Sequence, residues 1–159
     1  MPIKLSHNIE NIPPSATMLK TQLARDLKSE GKNIISMSAG EPDFDTPQNI
    51  KEAAINAIKR GQTKYTAVDG MDELKEAIIK KFKRENNLSF SKENISVAPG
   101  GKPIIYNAMI TTLNPGDEVI IPAPYWVSYP EMVKLAGATP RVVFAGDNQG
   151  FKVTPAQIE

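Results

Sequence analysis

From Asn94 onward the chain alternates in a way that leaves few folds open. Ile95-Ser96-Val97-Ala98 predicts a strand, Gly100-Gly101-Lys102 a turn, and Pro103 to about Leu113 a helix. Glu118 to Ile121 then predicts a strand, Ser128 to Ala136 a helix closed by Gly137, and Arg141-Val142-Val143-Phe144 a further strand. Strands separated by single helices imply an α/β architecture, with right-handed crossovers whose helices cover the sheet.

Upstream, Ser15 is a helix N-cap, and Met18, Leu19, Leu23 and Leu27 form an apolar stripe running to about Glu30, where Gly31 ends the helix. Ile34-Ile35-Ser36-Met37 predicts a short strand, and Ala39 to Asp45 a loop. Thr46 and Pro47 make an N-cap and first-turn pair for a helix that Gly61 stops. After a second loop, Thr63 to Gly70, a helix from about Met71 to Asn86 turns Leu74, Ala77, Ile78 and Phe82 inward. Thr154-Pro155-Ala156-Gln157 is a capping box close to Glu159; it reads either as the opening of a longer helix or as an ordinary frayed terminus.

Several function classes fall away. Nineteen basic side chains face eighteen acidic ones, mixed along the chain, so no basic face offers itself to a nucleic acid. No apolar stretch is long enough to span a bilayer, and the N-terminus lacks the apolar core of a secretory signal. With no cysteine either, a cytoplasmic protein is expected. His7, the single histidine, sits in what reads as an extended N-terminal arm, so neither a zinc site of the usual ligands nor Ser-His-acid catalysis has a local signature. Asp43 and Asp45 are explained by turn formation and capping.

Two segments could carry chemistry. The Gly100-Gly101-Lys102 turn stands between a strand and a helix, where backbone amides and the positive end of the helix dipole favour an anion. A structural turn and a phosphate site satisfy that spacing equally. It is not a Walker A loop, since Ser96 replaces the first glycine and Pro103 the magnesium-binding hydroxyl, and no G-x-G-x-x-G follows any strand. Pro124-Tyr125-Trp126-Val127-Ser128-Tyr129 follows the next strand, at the edge where open α/β sheets take ligands, and its rings suit either packing or stacking on a planar cofactor.

Taken together with Ser38-Ala39-Gly40-Glu41-Pro42-Asp43-Phe44-Asp45-Thr46-Pro47, Thr63-Lys64-Tyr65-Thr66 and Asn114-Pro115-Gly116-Asp117-Glu118-Val119, these motifs resemble the bacterial aspartate aminotransferase branch of the class I aminotransferases, in order and over nearly the whole chain. The resemblance implies the N-terminal part of a fold-type I, pyridoxal 5'-phosphate-dependent transferase with an incomplete sheet. Residues 1–45 would form an arm, a helix and a segment of the small domain, and 46–159 part of the cofactor-binding large domain. It also implies a homodimer acting on amino acids and 2-oxo acids.

Residue by residue, the resemblance puts Gly100, Gly101 and Lys102 under the cofactor phosphate and Trp126 on the pyridine ring and the substrate. Tyr65 would reach the phosphate of the neighbouring subunit, and Gly40 would meet the substrate carboxylate through its backbone. Lys102 would recognise a distal carboxylate, with Ser15 and Thr17 in the arm that closes over acidic substrates. The family's Schiff-base lysine has no counterpart here, so no catalytic residue is assigned to this chain, which is expected to be inactive alone. Ala98 replaces a hydroxyl residue of the family pattern, and Pro99 and Pro103 remove two amides from the turn. Pro13 stands where prephenate-accepting relatives have a basic residue, which favours aspartate over prephenate. The reading from another class is a non-catalytic fragment or split-enzyme half serving as an interaction module.

Overall fold

The computed structural model describes residues 4–159. Along them run α1 (His7–Glu10), α2 (Ala16–Ser29), α3 (Gln48–Lys59), α4 (Asp72–Asn86), α5 (Gly101–Thr112), β1 (Glu118–Ala123), α6 (Ser128–Leu135), β2 (Thr139–Phe144) and α7 (Pro155–Ile158). They fall into two compact units, one formed by Ile105–Glu159 with the described residues up to Gly40, the other by Glu41–Ile104.

In the first unit the expected strand, helix, strand succession is realised. The two strands pair in parallel, from Glu118 opposite Thr139 to Ala123 opposite Phe144, and α6 is the crossover. Ile121, Val133 and Ala138 form the core, with Met109, Leu113, Val119 and Tyr129 packed around them. Val133 is fully buried, and such burial contributes roughly 1.5–3 kcal/mol per aliphatic side chain. The capping box forms as read: the Thr154 amide donates to Gln157 Oε1 at 3.0 Å. Gln157 Nε2 then donates to the Phe144 carbonyl at 2.9 Å, which fastens α7 to the end of β2.

Three expectations for this unit need correction. His7 lies in the short helix α1, with its Nδ1 3.2 Å from Glu10 Oε2, rather than in an extended arm. Ser15 does stand at the N-cap of α2, but its side chain makes no capping bond, and Met18, Leu19 and Leu23 remain more than half exposed. Ile34-Ile35-Ser36-Met37 is not a strand, because among the described residues no neighbour supplies the ladder of hydrogen bonds that defines one. The segment is instead tied at its end, where Ser38 Oγ lies 3.1 Å from Thr21 Oγ1 on α2.

The second unit is built on α3 and α4. Pro47, expected at the first helical position, instead occupies the N-cap of α3, so the helix starts one residue later than expected and Thr46 caps nothing. α4 follows the expected span, yet its inward face is set by Lys75, Ile78, Ile79 and Phe82, while Leu74 and Ala77 are exposed. Residues 95–98 form no strand; the Val97 amide donates to the Asp69 carbonyl at 3.0 Å.

Candidate functional site

α5 begins one residue into the glycine turn, so Gly101 and Lys102 are its first helical residues rather than part of a loop. Gly100 takes φ 96°, in the left-handed region that glycine enters without the steric cost of a Cβ. A Cβ built at Gly100 or at Gly101 would meet no atom within 4 Å, so the backbone here borders open space. No acidic residue lies in the first turn, and Lys102 adds its cation to the positive helix terminus. That donor set suits a phosphate. Pro103 lacks an N–H, which leaves the cradle one amide shorter than a helix start without proline.

The aromatic segment follows the carboxyl end of β1, after a cis Ala123–Pro124 bond. Trp126 is half exposed and sits edge-to-face with Tyr129, ring centroids 6.2 Å apart at 71°. The Tyr129 amide donates to the Trp126 carbonyl at 3.0 Å, which closes the turn into α6. A supported, half-exposed indole fits stacking on a planar ring. Ser15 reaches the same neighbourhood: together with Ile12, Val127, Ser128 and Met132 it lines a hollow in the first unit. Thr17 is half-buried at the second position of α2, and its carbonyl accepts from Thr21 Oγ1 at 2.8 Å. Gly40 is exposed, and a Cβ there would meet nothing within 4 Å, as a close approach of ligand to backbone requires. Tyr65 is fully exposed in the loop between α3 and α4.

The candidate residues are thus divided between the units. Tyr65, Gly100, Gly101 and Lys102 belong to the Glu41–Ile104 unit; Ser15, Thr17, Gly40 and Trp126 belong to the other. Among the described residues no group of three or more His, Cys, Asp or Glu could hold a metal, and no helix is long and apolar enough to cross a membrane.

Sequence reasoning missed one charged pair near these residues. Lys75 is buried, 4% exposed, and its ammonium bonds to the Asp69 carboxylate. That bond holds the Asp69 carboxyl below its ordinary range. Its spacing is compatible with that burial without singling it out: Lys75 stands three, four and seven residues before Ile78, Ile79 and Phe82, on the face that packing selects.

The model of the family "Aminotransferase class I and II" matches residues 32–159. An aspartate/prephenate aminotransferase of Cereibacter sphaeroides is 59% identical over 155 residues, covering 98% of this chain and 39% of that protein. One from Nitrosomonas europaea is 55% identical over 157 residues, covering 99% of this chain and 40% of its own length. Among solved structures, the aspartate aminotransferase of Rhizobium meliloti superimposes with TM-score 0.93 at 45% identity, over 99% of this chain and 39% of that one. The Thermus thermophilus enzyme with maleate also gives 0.93, at 43% identity, over 99% of this chain and 41% of that one. The chain therefore spans about two fifths of the length of these relatives.

Proposed function

This chain belongs to the class I and II aminotransferases, and from that premise we propose that it carries the phosphate end and the stacking ring of a pyridoxal 5'-phosphate site in an aspartate aminotransferase. The observation that carries the proposal is the start of α5, where left-handed Gly100, open space at Gly100 and Gly101, and Lys102 meet in a first turn without acid. When bound, the cofactor supplies the carbonyl group that takes up and returns an amino group. Gly100, Gly101 and Lys102 would hold its phosphate, Trp126 would lie on its ring, and Tyr65 would serve the phosphate of a second subunit in a homodimer. Gly40 would present its backbone to the substrate carboxylate. Lys102, as a mobile point charge, would select a distal carboxylate, and Ser15 and Thr17 would close over it.

The overall reaction of this proposal exchanges an amino group between aspartate and 2-oxoglutarate, in a cytoplasmic setting. Residues 1–45 would act with the small domain and 46–159 with the large one. Prephenate is the second reading, favoured by the names of the relatives at 59% and 55% identity, and it stands against the preference drawn from Pro13. Residues 1–159 alone are proposed not to catalyse, since no lysine here matches the family's Schiff-base position.

Titration of the purified chain with pyridoxal phosphate, borohydride reduction, and an assay with aspartate and 2-oxoglutarate test this. The expected result is saturable binding competed by inorganic phosphate, with no turnover. A single-lysine adduct together with transamination would overturn the claim of inactivity. Concentration-dependent assembly without cofactor binding would favour an interaction module, and turnover on adding a second polypeptide a split enzyme.

A further inference from the structure

The buried Lys75 has no part in the reading above, and its position on α4 asks for an explanation. Burying an ammonium is costly unless it is paired, and Lys75 is paired with Asp69, the penultimate residue of the loop that carries Tyr65. Asp69 makes a second connection through its backbone: its carbonyl accepts the Val97 amide at 3.0 Å. Gly70 then lies so close to Val97 that an added Cβ would stand 2.7 Å from the valine Cβ, at a φ of 110°. Val97 is three residues before Gly100. The same stretch of α4 holds the other end of this segment, because Lys92 bonds Asp72 at 3.1 Å and Glu76 at 2.7 Å. One turn of α4 therefore fastens both the Tyr65 loop and the chain entering the glycine turn.

The geometry points to Lys75 as a positioning residue for the phosphate end of the site, acting through Asp69 on the Tyr65 loop and on the residues 95–98 that lead into Gly100 and Gly101. The inference rests on the proposed role of those glycines and of Tyr65. Lys75 itself touches no ligand in this scheme; it holds the carboxylate that keeps the Asp69 carbonyl on Val97.

The test uses the full chain and three variants, Lys75→Met, Lys75→Arg and Asp69→Asn. Exchange at the Val97 amide is read against amides in the middle of α4. Affinity is measured for pyridoxal phosphate and for pyridoxal, which lacks the phosphate. Lys75→Met and Asp69→Asn should each speed Val97 exchange and weaken pyridoxal phosphate about tenfold, the equivalent of one good hydrogen bond, while leaving pyridoxal binding unchanged. Lys75→Arg should restore most of both. Equal loss of both ligands would mean general damage and would overturn the inference, as would unchanged exchange at Val97. If the unaltered chain does not prefer pyridoxal phosphate to pyridoxal, the phosphate reading of the glycine turn fails, and Val97 exchange still decides whether the clamp exists.

Discussion

Two neighbouring glycines make opposite demands on stability and the same demand on ligand, so substituting each with alanine separates fold from function. Gly100 has φ 96°, where an L-residue is disfavoured by roughly 1–2 kcal/mol. Part of that is offset because alanine stiffens the unfolded chain, worth about 0.4–1 kcal/mol, so Gly100→Ala should lower stability by about 1 kcal/mol. Gly101 opens α5 with a φ outside the left-handed region and nothing near an added Cβ. Alanine is the better helix former by up to about 1 kcal/mol, less at a first position, so Gly101→Ala should raise stability by about 0.5 kcal/mol. Urea unfolding should therefore place the variants about 1.5 kcal/mol apart at constant slope. Both should bind pyridoxal phosphate more weakly, one through a displaced turn and the other through a methyl on the open face that the phosphate would occupy. A Gly101→Ala chain that is stabilised yet binds pyridoxal phosphate as tightly as the unaltered chain would refute the placing of the phosphate there.

Val133→Ala removes a fully buried side chain of the β1–α6–β2 core and should cost about 2 kcal/mol, read as a lower denaturation midpoint. Glu118 is held below its ordinary carboxylate range by its bond to Arg141, Arg141 Nε lying 2.7 Å from Glu118 Oε1. Because the folded value is depressed, this contribution is present above the ordinary value of 4.5 and is lost as pH falls through the lower folded value. Glu118→Gln should thus lose a little stability at neutral pH and progressively less as pH falls through the lowered folded value, flattening the acid limb of a stability profile only slightly for so exposed a pair. Tyr65→Phe should reduce pyridoxal phosphate affinity about tenfold where the chain is dimeric and leave it unchanged where dilution makes it monomeric, as equilibrium dialysis at two protein concentrations would show.

The elements that the sequence made legible are those whose signals are local. α2 is followed by left-handed Gly31 and α6 by left-handed Gly137, and the Thr154 capping box closes through Gln157, each within a few residues of chain. Strand character was legible only where the partner was also in the βαβ succession: Glu118–Ala123 and Thr139–Phe144 satisfy one another. Ile34–Met37 and Ile95–Ala98 have the same apolar β-branched look, but a strand is made by its neighbour's hydrogen bonds, and among the described residues none is offered. At the candidate site, the turn at Gly100 was legible from its residue type, since glycine takes φ 96° without the clash of a Cβ. Lys75 was not, since the apolar pattern of α4 fits two faces one residue apart, and only packing chose the face that includes a lysine.

Titrating the full chain with pyridoxal phosphate while following backbone amide resonances is the most direct test of the phosphate end of the site. Gly100, Gly101 and Lys102 should shift together with the Trp126 indole, at concentrations where pyridoxal alone moves the indole and not the glycine turn, as the placing of the phosphate requires. Resonances that move elsewhere while Gly100 to Lys102 stay still would contradict it.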